Sequence, residues 1–178
     1  MLDYIYMDLS NINHGIKQRV VAKDVFYTPL PLVKTHLDYI KEYVADGDVI
    51  FDGFYGTGNY YNMFSEIFTN NTFDYTEITL GKDFFEYDKK ADIICSNPPY
   101  SILQKVLEKS VALNPHTISY LIGVHNLTAK RIEYMNQNGY FLTKVKFLKV
   151  FKWFGMSAIV VFRKGGSNCI EFDRCVYK

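Results

Sequence analysis

Asn97-Pro98-Pro99-Tyr100 is the stretch of this sequence whose residue types point most directly to chemistry. Two prolines fix φ and remove two N–H donors, so the loop is stiff and its carbonyls face outward. Asn97 Oδ1 and the Pro98 carbonyl can both accept hydrogen bonds from one –NH2 group, Pro99 stiffens the turn, and the Tyr100 ring can stack on a flat partner. Those are the parts needed to grip a planar substrate that carries an amine. The same tetrapeptide suits a structural turn at a strand end, since Asn-Pro initiates turns. Its place directly after the buried run Ala91 to Ser96, downstream of a glycine loop, favours the functional alternative.

That glycine loop is Asp52-Gly53-Phe54-Tyr55-Gly56-Thr57-Gly58. Glycines there let the backbone approach a ligand, and a helix that follows offers free N–H groups at its first turn. A lone G-x-G also fits an ordinary tight turn. Tyr61 stands where a dinucleotide fingerprint needs its third glycine, and no Gly-Lys-Ser or Gly-Lys-Thr follows, so neither common nucleotide-binding pattern is met.

The elements that must position these loops alternate along the chain. Thr28-Pro29-Leu30-Pro31 opens a helix with Val33, Leu37, Ile40 and Val44 on one face and Gly47 as its C-cap. Val49 to Asp52 reads as a buried strand, and Tyr60, Phe64 and Ile67 as a helix closed by Asn70-Asn71. Tyr75 to Ile78 and Ala91 to Ser96 read as strands. Ser101 and Gln104 form an S-x-x-Q capping box for a helix bearing Leu103, Leu107 and Val111. Ser119 to Val124 is a strand and Thr128 to Met135 a helix. Two β-rich stretches then flank Gly155 as a terminal hairpin. The pattern predicts an α/β three-layer sandwich with a mostly parallel sheet and an antiparallel hairpin at the end. One domain over 1–178 accommodates it, with 1–25 as an N-terminal arm, 26–178 as the core and no sizeable target-recognition region.

Composition narrows the classes. The three cysteines, Cys95, Cys169 and Cys175, have no repeated spacing, which argues against a disulfide framework and a zinc site. His14, His36, His116 and His125 share no metal-binding spacing, so no metal is expected. No apolar run approaches the roughly 18 residues that span a bilayer, and no signal peptide is evident, so the expectation is a cytoplasmic protein with no membrane partner. Net charge is +1, but Thr128 to Lys178 holds ten Lys and Arg against three acids. That asymmetry suits a polyanionic partner, and equally a set of solvated strand faces. Lys130 and Arg131 are candidate phosphate contacts or a solvated helix face. Phe151, Lys152, Trp153 and Phe154 could form a stacking surface, or Phe151 and Trp153 could be core.

Taken together, these residues resemble class I S-adenosylmethionine-dependent methyltransferases of the N6-adenine or N4-cytosine amino group. They look closest to small phage- and virus-type DNA adenine methyltransferases, which would place the protein inside a host cell. Four segments carry the resemblance: Tyr27-Thr28-Pro29, Asp52 to Gly58, Gly81-Lys82-Asp83-Phe84-Phe85, and Asn97 to Tyr100, the family's N-P-P-Y. It implies a Rossmann-like methyltransferase sheet. S-adenosyl-L-methionine would be held by Tyr27, Thr28, Pro29, Asp52, Gly53, Phe54, Tyr55, Gly56, Gly58, Glu77, Ile78, Asp83, Phe84 and Asn97. Asn97, Pro98, Pro99 and Tyr100 would be catalytic, with Tyr100, Lys130, Arg131 and Trp153 facing the substrate. Transfer would be direct and in line, onto a base in nucleic acid, most often N6 of adenine in DNA.

Two departures stand out. Gly53 replaces the family's usual proline, which is expected to loosen the loop. Only five residues separate Glu77 from Asp83, where the family has a helix and a third strand, so the sheet is expected to have one strand fewer than seven. Glu77 lies 25 residues after Asp52, near the roughly 20 expected of a ribose-binding acid; it also reads as a plain strand-end acid. Two other functions remain: a protein-glutamine methyltransferase, which uses the same tetrapeptide on a side-chain amide, and a non-catalytic cofactor-binding subunit. A homodimer or a separate specificity subunit would supply what so short a chain lacks.

Overall fold

The computed structural model describes residues 27–149 and 156–172. Helix α1 (Leu30–Ile40) starts behind Pro29 with proline in its first turn, where a missing N–H costs nothing. Its buried stripe is Val33, His36, Leu37 and Ile40. The helix stops at Ile40 and tightens into a 3₁₀ turn, Lys41–Tyr43, so Val44 is already extended. Gly47 therefore serves the turn into the first strand and not the helix C-cap expected from sequence. Strand β1 (Val49–Asp52) follows, then α2 (Asn59–Ile67) and β2 (Thr72–Tyr75).

The strand expected over Tyr75 to Ile78 thus lies three residues earlier, and Ile78 sits 74% exposed in a 3₁₀ turn. Next come β3 (Ile93–Ser96), α3 (Leu103–Leu113) and β4 (Thr117–Gly123). Ser101 lies inside a 3₁₀ turn, Tyr100–Ile102, and Ile102 takes the N-cap position of α3, while the Gln104 side chain bonds Glu108. Asn114 closes α3 at φ 57, a left-handed conformation that asparagine tolerates. Helix α4 (Ala129–Gln137) is capped by the Thr128 side chain, a contact worth about 1 kcal/mol. The hairpin β5 (Tyr140–Leu148) and β6 (Ser157–Lys164) ends the sheet.

Among the described residues six strands run in the order β2-β1-β3-β4-β6-β5. β2, β1, β3 and β4 are mutually parallel, while β6 is antiparallel to β4 and to β5. Among the described residues the sheet has one strand fewer than seven, as expected from the short Glu77-to-Asp83 segment, which holds a 3₁₀ turn. Successive residues face opposite layers. Phe51, Ile94, Tyr120 and Val160 pack under α3 and α4, and Ile50, Ile93, Leu121 and Ile159 under α1 and α2. Each fully buried side chain of that size contributes about 1.5–3 kcal/mol. The three-layer sandwich expected from sequence is the fold observed.

Candidate active site

The loops after β1, β2 and β3 leave the same edge of the sheet and enclose a cavity of about 390 Å³. Ligands in open α/β sheets bind at the carboxyl ends of parallel strands, and this volume is within the range of small-molecule clefts. Hydrogen bonds stitch the loops together. Thr76 donates from its amide to the Asp52 carbonyl at 3.0 Å and from its hydroxyl to the Gly53 carbonyl at 2.7 Å. The Tyr55 amide donates to the Thr76 carbonyl at 3.1 Å. Glu77 Oε2 accepts from the Gly56 amide at 2.9 Å, and Oε1 accepts from the Thr79 hydroxyl and amide.

Burial raises the Glu77 carboxyl, but its bonds from Thr79 and Gly56 outweigh that and hold it below its ordinary value. Glu77 is thus ionised, half-buried and on the cavity wall. The return from Glu77 to Lys82 is tight, closed by an antiparallel bridge between those two residues. It also places Lys82 on the wall, with its ammonium 3.9 Å from the centre of the Tyr75 ring.

Gly53 does not loosen the loop. A Cβ on it would come 2.7 Å from the Phe84 ring, so glycine is what lets that ring seat. Phe84 is 3% exposed, packs 4.8 Å from Phe54 and 6.0 Å from Phe51, and forms the cavity floor. The more accessible rings nearby are Phe54 and Phe85. Asp83 lines the same wall and caps the turn after it, accepting from the Phe85 amide at 2.9 Å. On the opposite side, Asn59 donates to the Thr28 carbonyl at 2.8 Å, which seats Tyr27 and Thr28 against the first turn of α2.

Asn97, Pro98, Pro99 and Tyr100 close the third wall. Of the residues the resemblance assigns to the cofactor, Tyr27, Thr28, Gly53 to Gly56, Glu77, Ile78, Asp83, Phe84 and Asn97 line the cavity. Pro29, Asp52 and Gly58 stand behind it. Asp52 is fully buried; its Oδ1 accepts from the Ser96 hydroxyl at 2.6 Å and the Phe54 amide at 3.2 Å. Gly58 at φ 81 serves the turn, its amide donating to the Tyr55 carbonyl. The wall also includes Thr57, Asn59, Tyr60, Thr79, Lys82, Phe85 and Ile102, which the sequence reading did not assign. Asn59 and Tyr60 were inferable, since the first helical turn after a glycine loop presents free amides.

The substrate candidates fare differently. Lys130 is exposed, and α4 begins at the cavity edge of the sheet. Arg131 is tied back: its guanidinium donates to the carbonyl and side-chain oxygen of Asn126 at 2.7 and 3.1 Å, clamping the loop after β4. Trp153, with Phe151, Lys152 and Phe154, lies outside the described residues. Lys144 is engaged on the other side of the molecule by Glu42 and the Tyr39 ring. Among the described residues no cluster of His, Cys, Asp and Glu could hold a metal ion, and no helix is long and apolar enough to cross a membrane.

The sheet order, with its terminal antiparallel hairpin and its site at the parallel strand ends, is the Rossmann-like fold of class I methyltransferases. No protein-family model matches the chain, and no curated protein matches it in sequence. Solved structures do match. A protein from Vibrio vulnificus described as a modification subunit of a type I restriction enzyme aligns over 90% of this chain and 49% of its own, with TM-score 0.59 and 12% identity. M. jannaschii TYW2 in complex with AdoMet aligns over 81% and 80%, with TM-score 0.51 and 16% identity. The E. cuniculi Mtq2–Trm112 complex, which methylates the eRF1 translation termination factor, aligns over 79% and 99%, with TM-score 0.52 and 15% identity.

Proposed function

We propose that this chain transfers a methyl group from S-adenosylmethionine to the exocyclic amino group of a nucleic-acid base, N6 of adenine in DNA being the preferred acceptor. The observation that carries the proposal is one shared cavity: the Asn97-to-Tyr100 loop forms one wall, and the glycine loop with Glu77 and Asp83 forms the others. The lining fits the cofactor. Glu77 and Asp83 offer carboxylates to hydroxyl and amine donors, Phe54 and Phe85 offer rings, and the first turn of α2 offers amides to a carboxylate. When bound, the cofactor supplies an electrophilic methyl on its sulfonium.

The chain's own residues do the rest by placement. Asn97 Oδ1 and the Pro98 carbonyl accept the hydrogen bonds of the amine, drawing its nitrogen toward tetrahedral geometry and freeing its lone pair. Tyr100 holds the base plane, and the two prolines keep the loop from yielding. Catalysis of this kind is positioning and electrostatics. A duplex substrate needs its base flipped out, at a few kcal/mol.

Nucleic acid is favoured over protein by the cations at the cavity end of the sheet. β5 ends and β6 begins at the end of the sheet where the cavity opens, so Lys149, three strands from β3, and Lys130, at the start of α4, are exposed on that end without lining the cavity. A protein-glutamine acceptor is the rival, and the Mtq2–Trm112 neighbour, which methylates a protein, keeps a protein acceptor in view; that pairing and the Vibrio modification subunit also suit a second copy or a specificity subunit as partner. Incubation with methyl-labelled cofactor and separate DNA, RNA and protein pools, followed by digestion of the labelled pool, decides. Label in N6-methyladenine supports the proposal; label only in glutamine side chains refutes the nucleic-acid acceptor.

A further inference from the structure

Asp52 is used by nothing in this mechanism, yet it sits where two loops meet. β1 and β3 are adjacent and parallel, so Asp52 at the end of one lies beside Ser96 at the end of the other. Both side chains are 0% exposed. Oδ1 of Asp52 accepts the Ser96 hydroxyl at 2.6 Å and the Phe54 amide at 3.2 Å, so one oxygen joins the glycine loop to the residue that precedes Asn97. A distance of 2.6 Å lies in the charge-assisted range. Among the described residues Oδ2 has no hydrogen-bond partner. An apolar site of that kind makes an ionised carboxyl expensive unless its charge is needed.

We propose that Asp52 is a positioning residue: through the Ser96 hydroxyl its carboxyl sets the catalytic loop against the glycine loop, and protonating it releases both together. The inference rests on taking Asn97 to Tyr100 as the catalytic loop, and it adds the group that holds that loop in register with the cofactor wall. The ionised carboxyl needs both donors; the protonated one no longer attracts them with charge, so Phe54 and Ser96 respond to one titration. Burial, offset in part by the Ser96 and Phe54 bonds, pushes Asp52 up to about 7, which puts the event in the physiological range.

The other ionisable groups facing Asp52 are Glu77 beyond the glycine loop, Tyr60 of α2, Cys95 of β3 and Tyr120 of β4. Burial pushes the two phenols and the thiol upward, so they stay protonated through neutral pH. Glu77 is held ionised by its bonds from Thr79 and Gly56, which outweigh its burial. Asp52 is the member of this set whose charge changes between pH 5 and 9.

The test is a pH titration of the full chain, labelled with nitrogen-15, following the amides of Phe54 and Asn97 by NMR from pH 5 to 9. In the unmodified protein both amides should shift with one common midpoint near 7, and both shifts should vanish in Asp52→Asn. In Ser96→Ala, Phe54 should still titrate while Asn97 no longer follows it. Should Ser96→Ala fail to fold, Ser96→Thr, which keeps the hydroxyl, must retain the common midpoint. An Asn97 amide that does not respond in the unmodified protein, or that keeps its midpoint in Asp52→Asn, overturns the coupling. Calorimetry with S-adenosylmethionine on the unmodified protein is a separate readout: absence of binding there would count against the functional proposal, while the amide titrations alone judge Asp52.

Discussion

Gly53 and Phe84 are fitted to one another: a Cβ on the first would lie 2.7 Å from the ring of the second, closer than carbon atoms pack. Gly53→Ala should therefore destabilise the fold by about 1–3 kcal/mol, the usual range for overpacking. In a Phe84→Leu background the same substitution should cost much less, because the edge it meets is gone. Urea unfolding of the four proteins gives the coupling directly. Equal costs in both backgrounds would mean that the glycine serves the backbone and not the ring.

Glu77 ties the end of β2 to the glycine loop through Gly56, at 2.9 Å. Glu77→Ala should lower S-adenosylmethionine affinity by about tenfold or more, since hydrogen bonds to charged groups are worth roughly 1.5–3 kcal/mol. Glu77→Gln keeps an oxygen for the Gly56 amide but loses the charge, and should fall between. Calorimetry at a fixed pH checks the order. Unchanged affinity in both would make Glu77 a plain strand-end acid.

Asp52 and His36 push stability in opposite directions with pH. Burial raises Asp52 to about 7, so from the unfolded value of roughly 4 up to 7 its contribution falls as pH rises, and it is flat above. Burial lowers His36 to about 3, with its ring nitrogens bonded to Tyr60 and Ser119. Its contribution is full above the unfolded value of roughly 6.5 and is lost as pH falls toward 3. Between about 4 and 6.5 the two slopes, each about 1.4 kcal/mol per pH unit, cancel. Relative to the unmodified protein, Asp52→Asn should lose stability on acidification through that window, while His36→Gln should gain it. Parallel profiles for all three by urea unfolding would contradict both assignments.

The charge of the final third suits either a polyanionic partner or solvated strand faces, and the fold divides its lysines between the two. Lys144 lies 2.6 Å from Glu42, whereas Lys130 and Lys149 are exposed at the end of the sheet where the cavity opens. Lys149→Ala should lower the salt dependence of DNA binding by about 0.9 in the log–log slope, equally for all sequences. Lys144→Ala should leave that slope unchanged. A salt titration without any slope would favour the protein-glutamine acceptor.

Most of the scaffold was legible because its signals are local. Val33, Leu37 and Ile40 repeat at helical spacing, and the apolar Ile93 to Cys95 leads through Ser96 into a proline turn. Thr72 to Tyr75 was missed because it is an edge strand with Asp74 in its middle, and exposed Ile78 imitated a buried position. The cavity walls from Asp52 to Gly58 and Asn97 to Tyr100 were legible from glycine and proline chemistry. Relations between layers were not. Nothing near Lys144 in sequence announces Glu42, and nothing near His36, weighed only as a metal ligand, announces Tyr60 and Ser119.

Asn97→Ala, assayed for cofactor affinity and methyl transfer in the same preparation, bears most directly on the central claim. Removing one acceptor of the amine should leave S-adenosylmethionine binding close to that of the unmodified protein and reduce formation of N6-methyladenine in DNA by about 10²–10³-fold. Transfer at an undiminished rate with cofactor binding intact would make Asn97 to Tyr100 a structural turn, and would contradict the account.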